Sequence, residues 1–166
     1  MIREGTPGEK VRKALAGDMD EIYLMGKDAW GKGEKESEYL ASCRNSSKYK
    51  EGEWFLLEDQ QHSVSSLIVY SLSRKTAGIG SIATAPEQRG KGRAARLIEN
   101  VVGTLDGRGM KAIFLFSDIA PRYYERFGFA ALPPEYQKHP GSVCMIRAQS
   151  GEAYLKDSEF RLPDYF

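Results

Sequence analysis

The segment from Thr76 to Ser117 constrains the fold of this chain more than any other. An apolar run from Thr76 to Thr84 is broken at Pro86, and a basic, glycine-rich stretch follows, Arg89-Gly90-Lys91-Gly92-Arg93. Leu97, Ile98, Val101, Val102 and Leu105 then recur at helical spacing as far as Asp106-Gly107-Arg108-Gly109. Met110 to Ser117 is again continuously apolar, the pattern of a strand buried on both sides. Strand, turn, amphipathic helix and strand in this order predict a strand–helix–strand unit at the centre of the fold.

Upstream the pattern is different. Trp54-Phe55-Leu56-Leu57, Val64 to Leu72 and Thr76 to Thr84 are short apolar runs separated by Asp59-Gln60-Gln61-His62 and Ser73-Arg74-Lys75. This spacing predicts three strands joined by hairpins, an antiparallel meander. Lys10 to Ala14 reads as a short first strand. Asp18 with Glu21 has the form of a capping box, and Met19, Ile22, Met25 and Ala29 predict a helix from Asp18 to Trp30. A more polar helix is expected over Glu34 to Ser46, with Tyr39 and Leu40 facing inward. Downstream, Pro121 and Gly128 bracket a short helix, and strands are expected near Phe129–Leu132 and Val143–Ala148. The whole is a mixed α/β (α+β) fold with a sheet of six to seven strands. Its 166 residues suit one domain over 1–148. The tail, 149–166, carries Tyr154, Leu155, Phe160, Leu162, Tyr165 and Phe166 in no regular period.

Charge and cysteine usage exclude several functions. Lys+Arg 24 against Asp+Glu 23 leaves a net charge of +1, without the basic excess of a nucleic-acid binder. The apolar runs are too short to span a bilayer, and no apolar stretch backs the N-terminal charges as a signal peptide would require. Cys43 and Cys144 stand far apart with no clustered histidine, so neither a disulfide scaffold nor a metal site is expected. Reduced thiols in the cytoplasm fit best.

The chemistry lies in the turn. Glycines let the backbone come close to a ligand, and the first N–H groups of a helix are unpaired and electropositive. With Arg89, Lys91 and Arg93 nearby, the turn is a site for a phosphate or diphosphate. It is not a P-loop: Ala85 stands where the first glycine is needed and Gly92 where the magnesium-binding hydroxyl is needed. Gly90-Lys91-Gly92-Arg93-Ala94-Ala95 superficially matches the dinucleotide fingerprint, but the acidic residue expected about 20 positions later is missing, and hairpins precede the motif. A nucleotide-binding domain of Rossmann type remains a rival reading.

Arg89-Gly90-Lys91-Gly92-Arg93-Ala94, following a strand that runs into Pro86-Glu87-Gln88, resembles the Arg/Gln-x-x-Gly-x-Gly/Ala signature of the GNAT superfamily of acyl-CoA-dependent N-acetyltransferases. Tyr123-Tyr124-Glu125-Arg126-Phe127-Gly128-Phe129 is similar to a second block of that family, in the matching order. The resemblance covers Ser81 to Phe129. It implies acetyl-CoA wedged between two splayed parallel strands, Thr76–Thr84 and Met110–Ser117. Main-chain groups of Ile82, Ala83 and Thr84 would pair with the pantetheine arm, and amides from Arg89, Gly90, Lys91, Gly92, Arg93 and Ala94 would hold the diphosphate. It also implies an oxyanion donor at a bulge near Ile82 and a general acid at Tyr124. Ser117 stands where many relatives have Asn and could bond the pantetheine.

No general base is assigned. Thr76 to Thr84 contains no carboxylate; Glu53, Glu58, Asp59 and His139 are the alternatives. Trp30, Tyr136 and His139 are expected near the acceptor, which the charge balance leaves open between a small-molecule amine and a protein or peptide amine. The tail's spaced aromatics suggest a homodimer. A non-catalytic acyl-CoA-binding or sensing module is the main functional alternative.

Overall fold

The computed structural model describes residues 7–148, 154–157 and 160–166. The strands are β1 (Glu9–Lys13), β2 (Glu53–Asp59), β3 (His62–Ser71), β4 (Thr76–Thr84), β5 (Ala112–Ser117), β6 (Ala130–Ala131) and β7 (Val143–Ala148). The helices are α1 (Met19–Met25), α2 (Lys27–Trp30), α3 (Glu36–Asn45), α4 (Ser47–Glu51), α5 (Arg93–Gly107) and α6 (Arg122–Glu125). The strands form one mixed sheet in the order β1-β2-β3-β4-β5-β7-β6. The chain partitions into two compact units, Met1–Tyr70 with Ser81–Gly103, and Ser71–Gly80 with Thr104–Phe166.

In the first unit, β1 runs antiparallel to β2 from Glu9↔Asp59 to Lys13↔Phe55. β2 runs antiparallel to β3, with a register shift between Leu57 and Glu58. Both β2 and β3 are buried along nearly their whole length, so they read as apolar runs without clean alternation. The helix expected from Asp18 to Trp30 is two helices, α1 and α2, separated at Gly26. Nor does Asp18 act as the cap of α1. Its carboxylate accepts from the Leu15 N–H at 2.7 Å and from the Arg12 guanidinium at 2.8 and 3.0 Å. A charge-assisted fork is stronger than a neutral cap bond, and it ties the loop to β1 instead. Tyr39 of α3 is buried as expected, but Cys43 joins it in the core while Leu40 is half-buried. The N-terminal part of α5 buries Leu97, Ile98, Val101 and Val102, each worth roughly 1.5–3 kcal/mol of apolar burial.

In the second unit, β4 and β5 pair in parallel through Thr76↔Ala112, Ala77↔Ile113 and Gly78↔Phe114. β7 runs antiparallel to β5 over six residue pairs, and β6 adds to β7. Ala112, Phe114, Leu132, Cys144 and Ile146 make a core cluster. Tyr154, Leu155, Phe160, Leu162 and Phe166 of the tail pack against it, and the Phe166 ring lies close over Gly78. The irregular spacing of these apolar residues is thereby explained: they cover a core and need no helical or strand period to do so.

Candidate active site

The turn belongs to the first unit. After β4, Pro86–Gln88 form a single 3₁₀ turn, and the chain reaches α5 through Gly90 and Gly92 at φ +76° and +73°. These are left-handed conformations that side-chain-bearing residues adopt only at a cost, so the motif needs its glycines here. The N–H groups of Gly90, Lys91, Gly92, Arg93, Ala94 and Ala95 have no hydrogen-bond partner among the described residues. The first turn of any helix leaves such donors. Here the glycine bend extends the series to six consecutive residues.

The cations of the turn are arranged differently from the expectation. Arg89 forks onto Asp28 at 2.6 and 2.9 Å and donates to the carbonyls of Thr84 and Met25. Arg93 pairs with Glu9 and, at 2.7 Å, with Asp59. Both arginines therefore brace the turn with their side chains, and only their main chain is turned to other use. Lys91 is exposed, with its ammonium 3.5 Å from Gln88 Oε1. It is the cation of the turn with no carboxylate pair among the described residues.

On β4, Ser81 has φ +47°, an unfavourable conformation for a non-glycine residue that marks a local break in the strand next to Ile82. The Ala83 carbonyl accepts from Ser65 Oγ at 2.8 Å, and the Ala85 N–H donates to the Val64 carbonyl. Ala83 therefore faces β3 with its main chain. Alternation along the strand turns Ile82 and Thr84 to the opposite edge, although the Thr84 carbonyl already accepts from Arg89.

In the second unit, Tyr124 lies on α6 with its ring buried against Tyr123 and Phe129. Its hydroxyl has no hydrogen-bond partner among the described residues and is not one of the sealed side-chain atoms. Burial, with smaller contributions from Tyr123 and Asp118, pushes the phenol up to about 12. Arg147 holds the following loop by donating to the Phe127 carbonyl at 2.9 Å while forking onto Asp106. Ser117, in contrast, is committed locally: its hydroxyl donates to the Ile119 carbonyl at 2.7 Å and accepts from the Ile119 N–H. It closes the turn after β5. Asp118 accepts from Ser142 at 2.5 Å.

The alternatives for a base are largely engaged. Glu58 is paired with Lys10 and Arg12, and Asp59 with Arg93. Glu53 lies 3.7 Å from Lys13. His139 packs edge-on against Phe116 and beside Tyr165, Tyr136 packs on Phe160, and Trp30 is 40% exposed. Both thiols are buried, and burial alone raises Cys144 to about 11, so neither is set up as a nucleophile. Among the described residues no group of three His, Cys, Asp or Glu could hold a metal, and no helix is long and apolar enough to cross a membrane.

A glycine bend opens a helix after a strand of a mixed sheet, the arrangement of an α/β fold. The family model described as an acetyltransferase (GNAT) domain matches residues 10–132, and the chain belongs to that family of acyl-CoA-dependent N-acyltransferases. The Rossmann-type alternative falls with this match. Among solved structures, the chain resembles a GNAT family acetyltransferase from Brucella melitensis in complex with acetyl-CoA, at 20% identity and TM-score 0.61, over 86% of this chain and 88% of that one. It also resembles the ribosomal-protein-S18-alanine N-acetyltransferase of Escherichia coli, at 16% identity and TM-score 0.64, over 86% and 94%. N-acetylglutamate synthase from Neisseria gonorrhoeae, complexed with coenzyme A and N-acetyl-glutamate, matches at 17% identity and TM-score 0.66 over 89% of this chain. This chain spans only 36% of that protein. No curated protein matches in sequence.

Proposed function

We propose that the chain is an N-acetyltransferase that moves the acetyl group of acetyl-CoA directly to a primary amine in a ternary complex. The observation that carries this reading is the run of six open N–H groups from Gly90 to Ala95, with Lys91 beside it. Such a run offers a diphosphate several charge-assisted hydrogen bonds without moving a side chain. Ile82 would bind the pantetheine arm through its main chain, and Thr84 beside it, though its carbonyl accepts from Arg89 and its hydroxyl bonds Ser65. The assignments of Ala83 and Ser117 rest on the family resemblance alone, since their polar groups have partners.

Acyl transfer needs a neutral amine, a stabilised oxyanion and a protonated leaving sulfur. A free alkyl amine near 10.4 is neutral in only on the order of 4 molecules in 10,000 at pH 7, a deficit of roughly 4–5 kcal/mol that a desolvating site or a base must offset. The break at Ser81 presents the neighbouring main chain as an oxyanion donor, a role worth ~3 kcal/mol for one fixed N–H. Tyr124 supplies the acid. A phenol near 12 is fully protonated at neutral pH. Giving its proton to a free thiolate near 8.5 would be uphill by about 5 kcal/mol. Tyr124 therefore acts first as a hydrogen-bond donor to the sulfur, and transfers its proton only as burial raises the basicity of the leaving thiolate as well.

Residues 1–148 act together as the acyltransferase domain in this reading, located in the cytoplasm where thiols stay reduced. The acceptor is an amine on a small molecule or on a protein or peptide. A homodimer remains a proposal, with Tyr165 the exposed aromatic of the tail and Tyr154, Phe160 and Phe166 packed on the chain's own core. The ion pairs of Glu58 and Asp59 favour one second reading, a non-catalytic acyl-CoA-binding module. Thermal shift with acetyl-CoA, NAD and ATP, followed by thiol release over a panel of amines, separates these. At 100 times its Kd, acetyl-CoA should stabilise the protein by about 2.7 kcal/mol. Stabilisation without thiol release favours the binding module, and no response to acetyl-CoA refutes both.

A further inference from the structure

The turn is held by a chain of contacts that begins in β1. The Glu9 carboxylate, 1% exposed, accepts from Arg96 Nε and Nη2, each at 2.7 Å, and from Arg93. Arg96 then reaches forward with its third nitrogen, Nη1, and donates to the Lys91 carbonyl at 3.0 Å. A trans peptide points its C=O and N–H in opposite directions. Drawing the Lys91 carbonyl towards the Arg96 side therefore aims the Gly92 N–H away from it, and that N–H lies in the middle of the open run. The fit is close: a Cβ placed on Gly92 would lie 3.1 Å from Arg96 Nη1.

We propose that Glu9 and Arg96 are positioning residues for the diphosphate turn. Glu9 fixes the Arg96 guanidinium, and Arg96 fixes the plane of the Lys91–Gly92 peptide so that its N–H is presented to the ligand. Three of the five N–H donors of Arg96 go to Glu9 and the Lys91 carbonyl, and in this proposal Arg96 acts through that carbonyl and not on the phosphates. The inference rests on the turn being the diphosphate site. It adds that the turn is read through its main chain, set from a distance by a buried carboxylate.

The test measures CoA binding by titration calorimetry in Glu9→Gln, Arg96→Ala and the double variant, at low and high salt. Each single change should raise Kd about tenfold, the loss of one well-aimed charge-assisted hydrogen bond. The double variant should lie within about twofold of the worse single, because residues acting in series are not additive. The ratio of Kd at high salt to Kd at low salt should be the same in Arg96→Ala as in the unmutated chain, since no phosphate charge pair is lost. Turnover at saturating acetyl-CoA should stay within twofold while KM rises. Should Arg96→Ala melt without a cooperative transition, Arg96→Lys serves instead. One ammonium cannot span both partners, so the same rise is expected. A Kd within twofold of the unmutated value in a cooperatively melting Arg96 variant overturns the proposal, as does a flattened salt response, which would mean direct phosphate contact. Failure of the unmutated chain to bind CoA at all removes the functional reading and this proposal with it.

Discussion

Under the proposed function, Tyr124 and Gly92 are the two residues on which the chemistry depends most directly, for different reasons. Tyr124 combines a buried ring with a hydroxyl that has no partner among the described residues, an arrangement that keeps a proton donor available and poorly solvated. Replacing it with Phe leaves the packing volume intact, so turnover should fall about 10²-fold with acetyl-CoA affinity nearly unchanged. Steady-state kinetics settle this, and an undiminished turnover would remove the acid role. Gly92 is needed for its backbone. At φ +73°, alanine would cost about 1–2 kcal/mol and would also crowd Arg96. Gly92→Ala should therefore lower the melting temperature and raise the acetyl-CoA KM together. Gly92 is legible in the sequence, because its motif specifies the left-handed backbone found there, while the role of Tyr124 is a proposal from its motif. Arg89 and Arg93 are read there as phosphate cations. Their carboxylate partners, Asp28 and Glu9, lie 61 and 84 positions away, and no local pattern reveals such pairs.

At the scale of elements, amphipathic periodicity makes α5 and β5 legible, and alternation of apolar runs with short polar breaks makes the meander so. Leu97 of α5 is fully buried, and Leu97→Ala should cost about 2–5 kcal/mol in urea unfolding; a loss below 1 kcal/mol would contradict the packing. The Asp18 capping box is where the local pattern misleads, since a guanidinium from β1 competes for the same carboxylate. That competition has a pH signature. Arg12, the main cause, lowers Asp18, and Lys10 and Arg12 lower Glu58. A carboxylate whose folded value is depressed contributes stability above its unfolded value, near 4, and loses it as pH falls through the folded value. Asp18→Asn should accordingly lower stability by about 1 kcal/mol at pH 7, with the difference from the unmutated chain shrinking below pH 4. Denaturant midpoints at pH 7 and pH 3 provide the check; an equal difference at both would place the effect elsewhere.

For the whole molecule, the order of elements and the order of motifs agree, and the family model matches over residues 10–132. The tail is illegible in the sequence for a physical reason. Phe160, Leu162 and Phe166 pack on a core made by residues distant in sequence, so their spacing follows the shape of that core and no repeat of the backbone. Sequence leaves the base open, and in the structure ion pairs occupy Glu58 and Asp59. Under the proposed function, transfer depends on desolvation of the amine and on acetyl-CoA anchored by the turn. That anchoring is the central claim, and amide hydrogen exchange resolved by residue tests it most directly. With saturating acetyl-CoA, the N–H groups of Gly90 to Ala95 should all exchange more slowly than in the free chain. Acetyl-CoA binding that leaves those six amides exchanging at their original rates would contradict it.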